Sequence, residues 1–165
     1  MERNTLRHCL NKFNVGSIKV SNFGYYNMEN SILDSHGIEI NMDFEKLCHD
    51  VFDLDPKIRF AGVSGNTGEI KNGGLREGIK SFLTDDEIKS ANLISLERWR
   101  LHNKLADRIG KARYAMEEYE KVKQITMPLE DEHLLLLSTE VDADHAKIIE
   151  SAIQLIISNY IKDYL

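Results

Sequence analysis

The chain predicts an α+β domain: a five-stranded antiparallel sheet with a long helix inserted after the first hairpin and further helices flanking it. Three observations carry that expectation. Residues 58–63 and 69–74 have the composition of short strands, and Ser64-Gly65-Asn66-Thr67-Gly68 between them is a turn-rich linker, which reads as a hairpin. Thr84-Asp85-Asp86-Glu87 is a capping box, Thr84 accepting from the amide of Glu87 while the Glu87 side chain reaches back, so a helix opens there and runs to Gly110. Residues 112–120, 122–129 and 133–141 then read as three strands joined by short polar turns, with no crossover units for a parallel sheet.

The remaining elements follow from spacing. Asp43 caps a short helix in which Phe44, Leu47, Val51 and Phe52 recur at helical intervals, and Asp55-Pro56 ends it. In the closing helix Ile148, Ile149, Ala152, Ile153, Ile156, Ile157, Tyr160 and Ile161 form an apolar stripe. Asn66 and Gly68 are expected to supply the positive φ angles of the hairpin turn. A boundary falls near Asn41. Before it Asn, Ser, Gly and Tyr dominate, and the apolar residues keep no steady period. Residues 1–41 are therefore expected to form a loosely attached extension, from an upstream start codon, to a domain spanning 42–165.

Composition narrows the function. With 165 residues, 42% apolar and 29% charged, the chain is long enough to bury about 70% of its unfolded surface without disulfides or metal. Twenty-seven acids against 21 Lys and Arg give a net charge of −6, a field that repels phosphate backbones and anionic lipid, so neither nucleic acid nor a membrane is an expected partner. The longest apolar run, residues 134–137, is too short to span a bilayer, and the first residues lead into no signal-peptide core. A cytoplasmic location is expected, with Cys9 and Cys48 as free thiols.

The chemical motifs are thin. Ser64-Gly65-Asn66-Thr67-Gly68 resembles a flavodoxin-type phosphate loop, but it leads into Glu69-Ile70-Lys71-Asn72-Gly73-Gly74, whose glycines oppose the helix such a loop requires. His8-Cys9 and Cys48-His49 contain soft metal ligands without the paired spacings of a zinc site; Cys48 is expected to face the core and His49 water. Asp142 and Asp144 beside His145 read as capping chemistry. Ser64 is the one serine in a nucleophile-like setting, with no base nominated nearby. Glu117 and Glu118 point to opposite faces of a strand and read as solvated or ion-paired. No catalytic residue, cofactor or metal is assigned.

The long helix carries more. Ile88, Ala91, Ile94, Leu101, Leu105 and Ile109 share one face, opposite Lys89, Glu97, Arg100, Lys104 and Arg108, and that apolar face is expected to pack on the sheet. Leu93, Leu96 and Trp99 extend apolar surface beyond it. Such an excess suits a second contact, where Trp and Arg are favoured anchors. Arg98 and His102, four residues apart, are candidate polar groups of a ligand pocket.

The order helix, hairpin, long helix, three-stranded meander and helix over residues 42–165 resembles the roadblock and longin group of profilin-like domains. More closely, Met42-Asp43-Phe44-Glu45-Lys46-Leu47, Asp55-Pro56-Lys57-Ile58-Arg59-Phe60-Ala61-Gly62-Val63 and the strand at 134–138 look like a family of short archaeal proteins of unknown function, whose members commonly begin at the equivalent of Met42. The roadblock resemblance implies a non-enzymatic homodimer, with the long helix and the strand after it at the interface, often serving small GTPases as scaffold or regulator. On that basis Leu93, Leu96, Trp99 and Tyr114 are the candidate interface residues. The expectation is a dimeric interaction and regulatory module. A PAS-like small-molecule sensor using Arg98 and His102 is the alternative, and an enzyme comes third.

Overall fold

A computed structural model gives the structure of residues 42–129 and 132–162, with side chains through Ser158. These residues belong to the unit Met42–Leu165; the extension expected over 1–41, including Cys9, lies outside the described residues.

The first helix, α1 (Phe44–Phe52), begins where Asp43 accepts a hydrogen bond from the Lys46 amide at 2.9 Å, and it buries Leu47, Cys48 and Val51. The carbonyl of its last residue is satisfied by a side chain distant in sequence. The Arg76 guanidinium donates to the carbonyls of Phe52, Asp55 and Ile58 at 2.7–2.9 Å and stacks on the Phe52 ring, tying the helix end to the sheet. Strands β1 (Ile58–Ser64) and β2 (Ile70–Leu75) form the expected hairpin, with a register shift between Val63 and Ser64. Gly68 supplies a positive φ of 77° in its turn, as expected, but Asn66 does not; the non-glycine residue with positive φ among the described residues is Glu132.

Helix α2 (Asp85–Ile109) starts on the capping box read from the sequence, with Thr84 N donating to Glu87 Oε2 at 2.8 Å and Glu87 N to Thr84 Oγ1 at 3.3 Å. The second Glu87 contact is to the Thr84 hydroxyl, and these bonds hold its carboxyl below the ordinary range. The meander strands, β3 (Ala115–Glu118), β4 (Lys123–Pro128) and β5 (Leu134–Thr139), are shorter than their expected spans. One cause is Pro128, which has no N–H to carry the ladder onward. Helix α3 (His145–Lys162) closes the domain.

The five strands lie in the order β2-β1-β5-β4-β3, every neighbouring pair antiparallel. Helices α1 and α3 pack one face, where Leu47, Val51, Ile148 and Ala152 meet Val63, Ile125, Leu135 and Leu137. The other face carries α2, whose Leu96 and Trp99 meet Leu134 and Leu136. The central position of β5 explains its run of leucines. Alternate side chains point into each core, so a strand covered on both faces is apolar throughout.

The face of α2 that meets the sheet is not the one expected. Asn92, Leu96 and Trp99 are buried, whereas Ile94, Leu101, Leu105 and Ile109 are 64%, 56%, 41% and 80% exposed. Most of the expected apolar face thus points away from the sheet, while Ile88 and Ala91 near the start of the helix are half-buried. Two polar contacts help hold the observed orientation: Trp99 Nε1 donates to Thr126 Oγ1 at 3.2 Å, and Asn92 Nδ2 to the Gly68 carbonyl at 2.8 Å. A buried Trp contributes the largest apolar area of any side chain, and its N–H requires a partner that the opposite rotation would not give.

Candidate interaction surface

The exposed stripe of α2 is regular. Residues 94, 101, 105 and 109 are spaced by seven, four and four, which places them on one side of a helix. The turns after Trp99 are largely open, with His102 and Ala106 the partly covered positions between Arg100 and Ile109. Beside this helix lies β3, which among the described residues ends the sheet and pairs with β4 alone. Its outer edge presents the unpaired backbone groups of a terminal strand. The Arg98 guanidinium joins the two elements by pairing with Glu117 Oε1 on β3.

The six candidate residues separate in the structure. Leu96 and Trp99, 3% and 4% exposed, are spent on the chain's own sheet and are not available to a second subunit. Their apolar character was legible; the destination of that surface depended on the rotation of α2. Leu93 and Tyr114 are exposed. Leu93 also packs close to the hairpin turn, since a Cβ at Gly68 would lie 2.9 Å from Leu93 Cγ. Arg98 is engaged with Glu117, and the His102 ring sits edge-on to Trp99 at 5.3 Å between centroids. These contacts orient both groups within the fold. Glu117 is the ion-paired strand residue anticipated from its alternation, and Glu118 is exposed.

The glycine-rich turn is occupied by its own architecture. Gly65 N donates to Glu69 O, Gly68 N to Gly65 O, and the Gly68 carbonyl accepts from Asn92. Lys89 pairs with Glu69 at 2.8 Å, and its hydrogen bond holds the Glu69 carboxyl below the usual range. The turn is thus the seat of α2. Ser64 is fully buried, and its hydroxyl has no hydrogen-bond partner among the described residues, so it has neither the base nor the open approach of a nucleophile.

Cys48 faces the core as expected and His49 is exposed. Burial pushes the Cys48 thiol up to about 11, against which a backbone hydrogen bond at Val63 acts only in part. Among the described residues no group of three or more His, Cys, Asp and Glu is placed to hold a metal ion. Asp144 caps α3 by accepting from Lys147 N at 3.2 Å, but Asp142 is drawn instead to Lys57 at 2.8 Å, which lowers its pKa. His145 meets the buried Lys123, with 3.1 Å between Nζ and Nδ1, while Lys123 Nζ also donates to the Ala143 carbonyl. Nothing in the local sequence announces this contact, because it joins a strand to a helix start 22 residues away.

The profile of a family of unknown function, DUF6659, matches residues 37–160. The chain belongs to that family. No curated protein matches it. Among solved structures it is similar to the roadblock/LC7 domain from Streptomyces avermitilis, with a TM-score of 0.53 and 16% identity over 74% of this chain and 97% of that one. It is also similar to the gliding protein MglB of Thermus thermophilus, with a TM-score of 0.54 and 11% identity over 71% of this chain and 87% of that one. Myxococcus xanthus MglB gives a TM-score of 0.53 and 11% identity over 77% of this chain and all 100% of its own. This member of the family therefore carries a roadblock-like fold, as its order of elements led us to expect. Among its described residues no helix is long and apolar enough to cross a membrane.

Proposed function

We propose that this protein is a non-catalytic homodimeric interaction module that regulates a protein partner of the small-GTPase type. The observation that carries the dimer is the juxtaposition of an open strand edge, β3, with the exposed stripe Ile94, Leu101, Leu105 and Ile109 on the helix beside it. A second copy satisfies both at once, since its β3 supplies the missing ladder and its α2 covers the stripe. A Leu or Ile taken from water to a buried site contributes about 1.5–3 kcal/mol. The side chains of the stripe are 41–80% exposed in the single chain, so eight of them from two copies contribute about 7–14 kcal/mol, comparable with an association cost of about 4–15 kcal/mol. The roadblock-like fold supports the regulatory part of the reading, through the scaffold or regulator role that the roadblock resemblance implies.

Sedimentation velocity at tens of micromolar tests the dimer. Wild type sediments at twice the chain mass, and Leu101→Asp with Leu105→Asp sediments as a monomer with an unchanged circular dichroism spectrum, because both side chains are exposed in the single chain. A wild-type monomer under those conditions refutes the reading. The GTPase partner is tested by affinity capture from native cells with and without a non-hydrolysable GTP analogue, and a captured set that holds no GTPase in either state removes that part of it.

A further inference from the structure

The dimer just proposed leaves the register of its two edge strands open, and the residues around β3 discriminate among the possibilities. A twofold axis perpendicular to a continuous sheet keeps every side chain on the face it already occupies. Residues that meet across the axis must then lie on one face, and alternation along a strand makes their numbers equal in parity. Ala115 packs with the Trp99 cluster and Glu117 pairs with Arg98, so odd-numbered positions of β3 face α2.

Each allowed register is centred on a single residue. Centred on Glu117 or on Glu118, it sets two like carboxylates directly opposite each other, and like charges in that position destabilise a pair. Centred on Met116, it puts Glu117 against the partner's Ala115 and offers the carboxylate nothing. Centred on Tyr114, it pairs no residue of β3 with another. Centred on Ala115, it sets Glu117 against the partner's Arg113, and symmetry makes that contact twice.

Resting on that dimer, we infer that two copies join β3 to β3 antiparallel about Ala115, each Glu117 bridging its own Arg98 and the partner's Arg113. Arg98 engages Oε1 of Glu117, and a carboxylate has acceptor sites for a second guanidinium. Arg113 is exposed, and its five donors allow a carboxylate from the partner in addition to its contacts within the chain. The same register sets Met116 beside the partner's Tyr114, covering a ring that is 48% exposed in the single chain. Pairing on the outer edge must begin at Arg113, two residues before the ladder with β4. That ladder starts at Ala115 opposite Thr126, and its continuation would bring Arg113 to Pro128, which has no N–H to give. The outer edge meets no such block.

Cysteine crosslinking of the full chain reads the register directly. In a Cys9→Ser background, with the buried Cys48 retained, Ala115→Cys and Met116→Cys are each oxidised with copper phenanthroline and run without reductant. Directly opposed residues of antiparallel strands have Cα atoms about 4.5–5.5 Å apart, inside the range a disulfide spans, whereas diagonal ones at about 7–8 Å fall outside it. Covalent dimer from Ala115→Cys and little from Met116→Cys is expected, together with about tenfold weaker self-association of Arg113→Glu. The reverse crosslinking pattern overturns the register and leaves the dimer standing. Neither variant crosslinking while sedimentation still gives a dimer overturns the strand pairing itself, and a monomeric wild type overturns the proposed function together with it.

Discussion

Leu96→Ala and Leu101→Ala place the same change on opposite sides of α2, and the structure assigns them different costs. Leu96 is 3% exposed against Leu134 and Leu136, so truncation removes buried methyl groups and leaves a cavity between helix and sheet. Such a site costs about 3 kcal/mol, within a range of about 2–5. For a domain of this size each kcal/mol is worth about 2–4 °C, which puts the loss at about 6–12 °C. Leu101 is 56% exposed, and its truncation changes the stability of the single chain by no more than about 0.5 kcal/mol. The assay is thermal unfolding followed by circular dichroism at submicromolar and at tens of micromolar protein. At low concentration only Leu96→Ala unfolds early. Raising the concentration stabilises the wild type by mass action, and Leu101→Ala gains less, because its side chain acts in the dimer. Equal losses at low concentration, or the larger one from Leu101→Ala, refute the orientation of α2 and the surface built on it.

Two further outcomes test the scaffold around that surface. Gly68 and Gly78 both have positive φ, but a Cβ at Gly68 would meet the Lys89 carbonyl at 2.8 Å, whereas one at Gly78 would meet nothing within 4 Å. Gly78→Ala is expected to cost about 1 kcal/mol in denaturant titration, from backbone strain alone, and Gly68→Ala clearly more; equal costs would show that the turn does not seat α2. The Cys48 thiol sits at about 11 in the fold against 9.0 for the ordinary group. Between these values the unfolded chain releases the proton while the folded one keeps it, so the contribution is fully present below about pH 9 and is lost as pH rises toward 11. Wild type should lose stability more steeply across that window than Cys48→Ala, by up to about 1.4 kcal/mol per pH unit, and parallel profiles would contradict the burial of the thiol.

Local chemistry was legible from the residues alone. The Thr84 and Glu87 box, the Asp43 cap, the glycine in the hairpin turn and the period of each apolar run all act over a few residues, and they place the helices and strands in order. Five short strands without crossover units left an antiparallel sheet as the outcome, and that order also led to the roadblock-like fold. What the chain alone could not decide was where each surface goes. Helix α2 has apolar residues on more than one side, and periodicity weighs Ile94, Leu101 and Leu105 much as it weighs Leu96 and Trp99. The choice rests on pairs far apart in sequence: Trp99 with Thr126, Asn92 with Gly68, Arg98 with Glu117. The Arg76 clamp on α1 and the contact of Lys123 with His145 belong to the same class. Spacing along the chain records which side chains avoid water, and only the packed sheet determines which of them it covers and which it leaves for a partner.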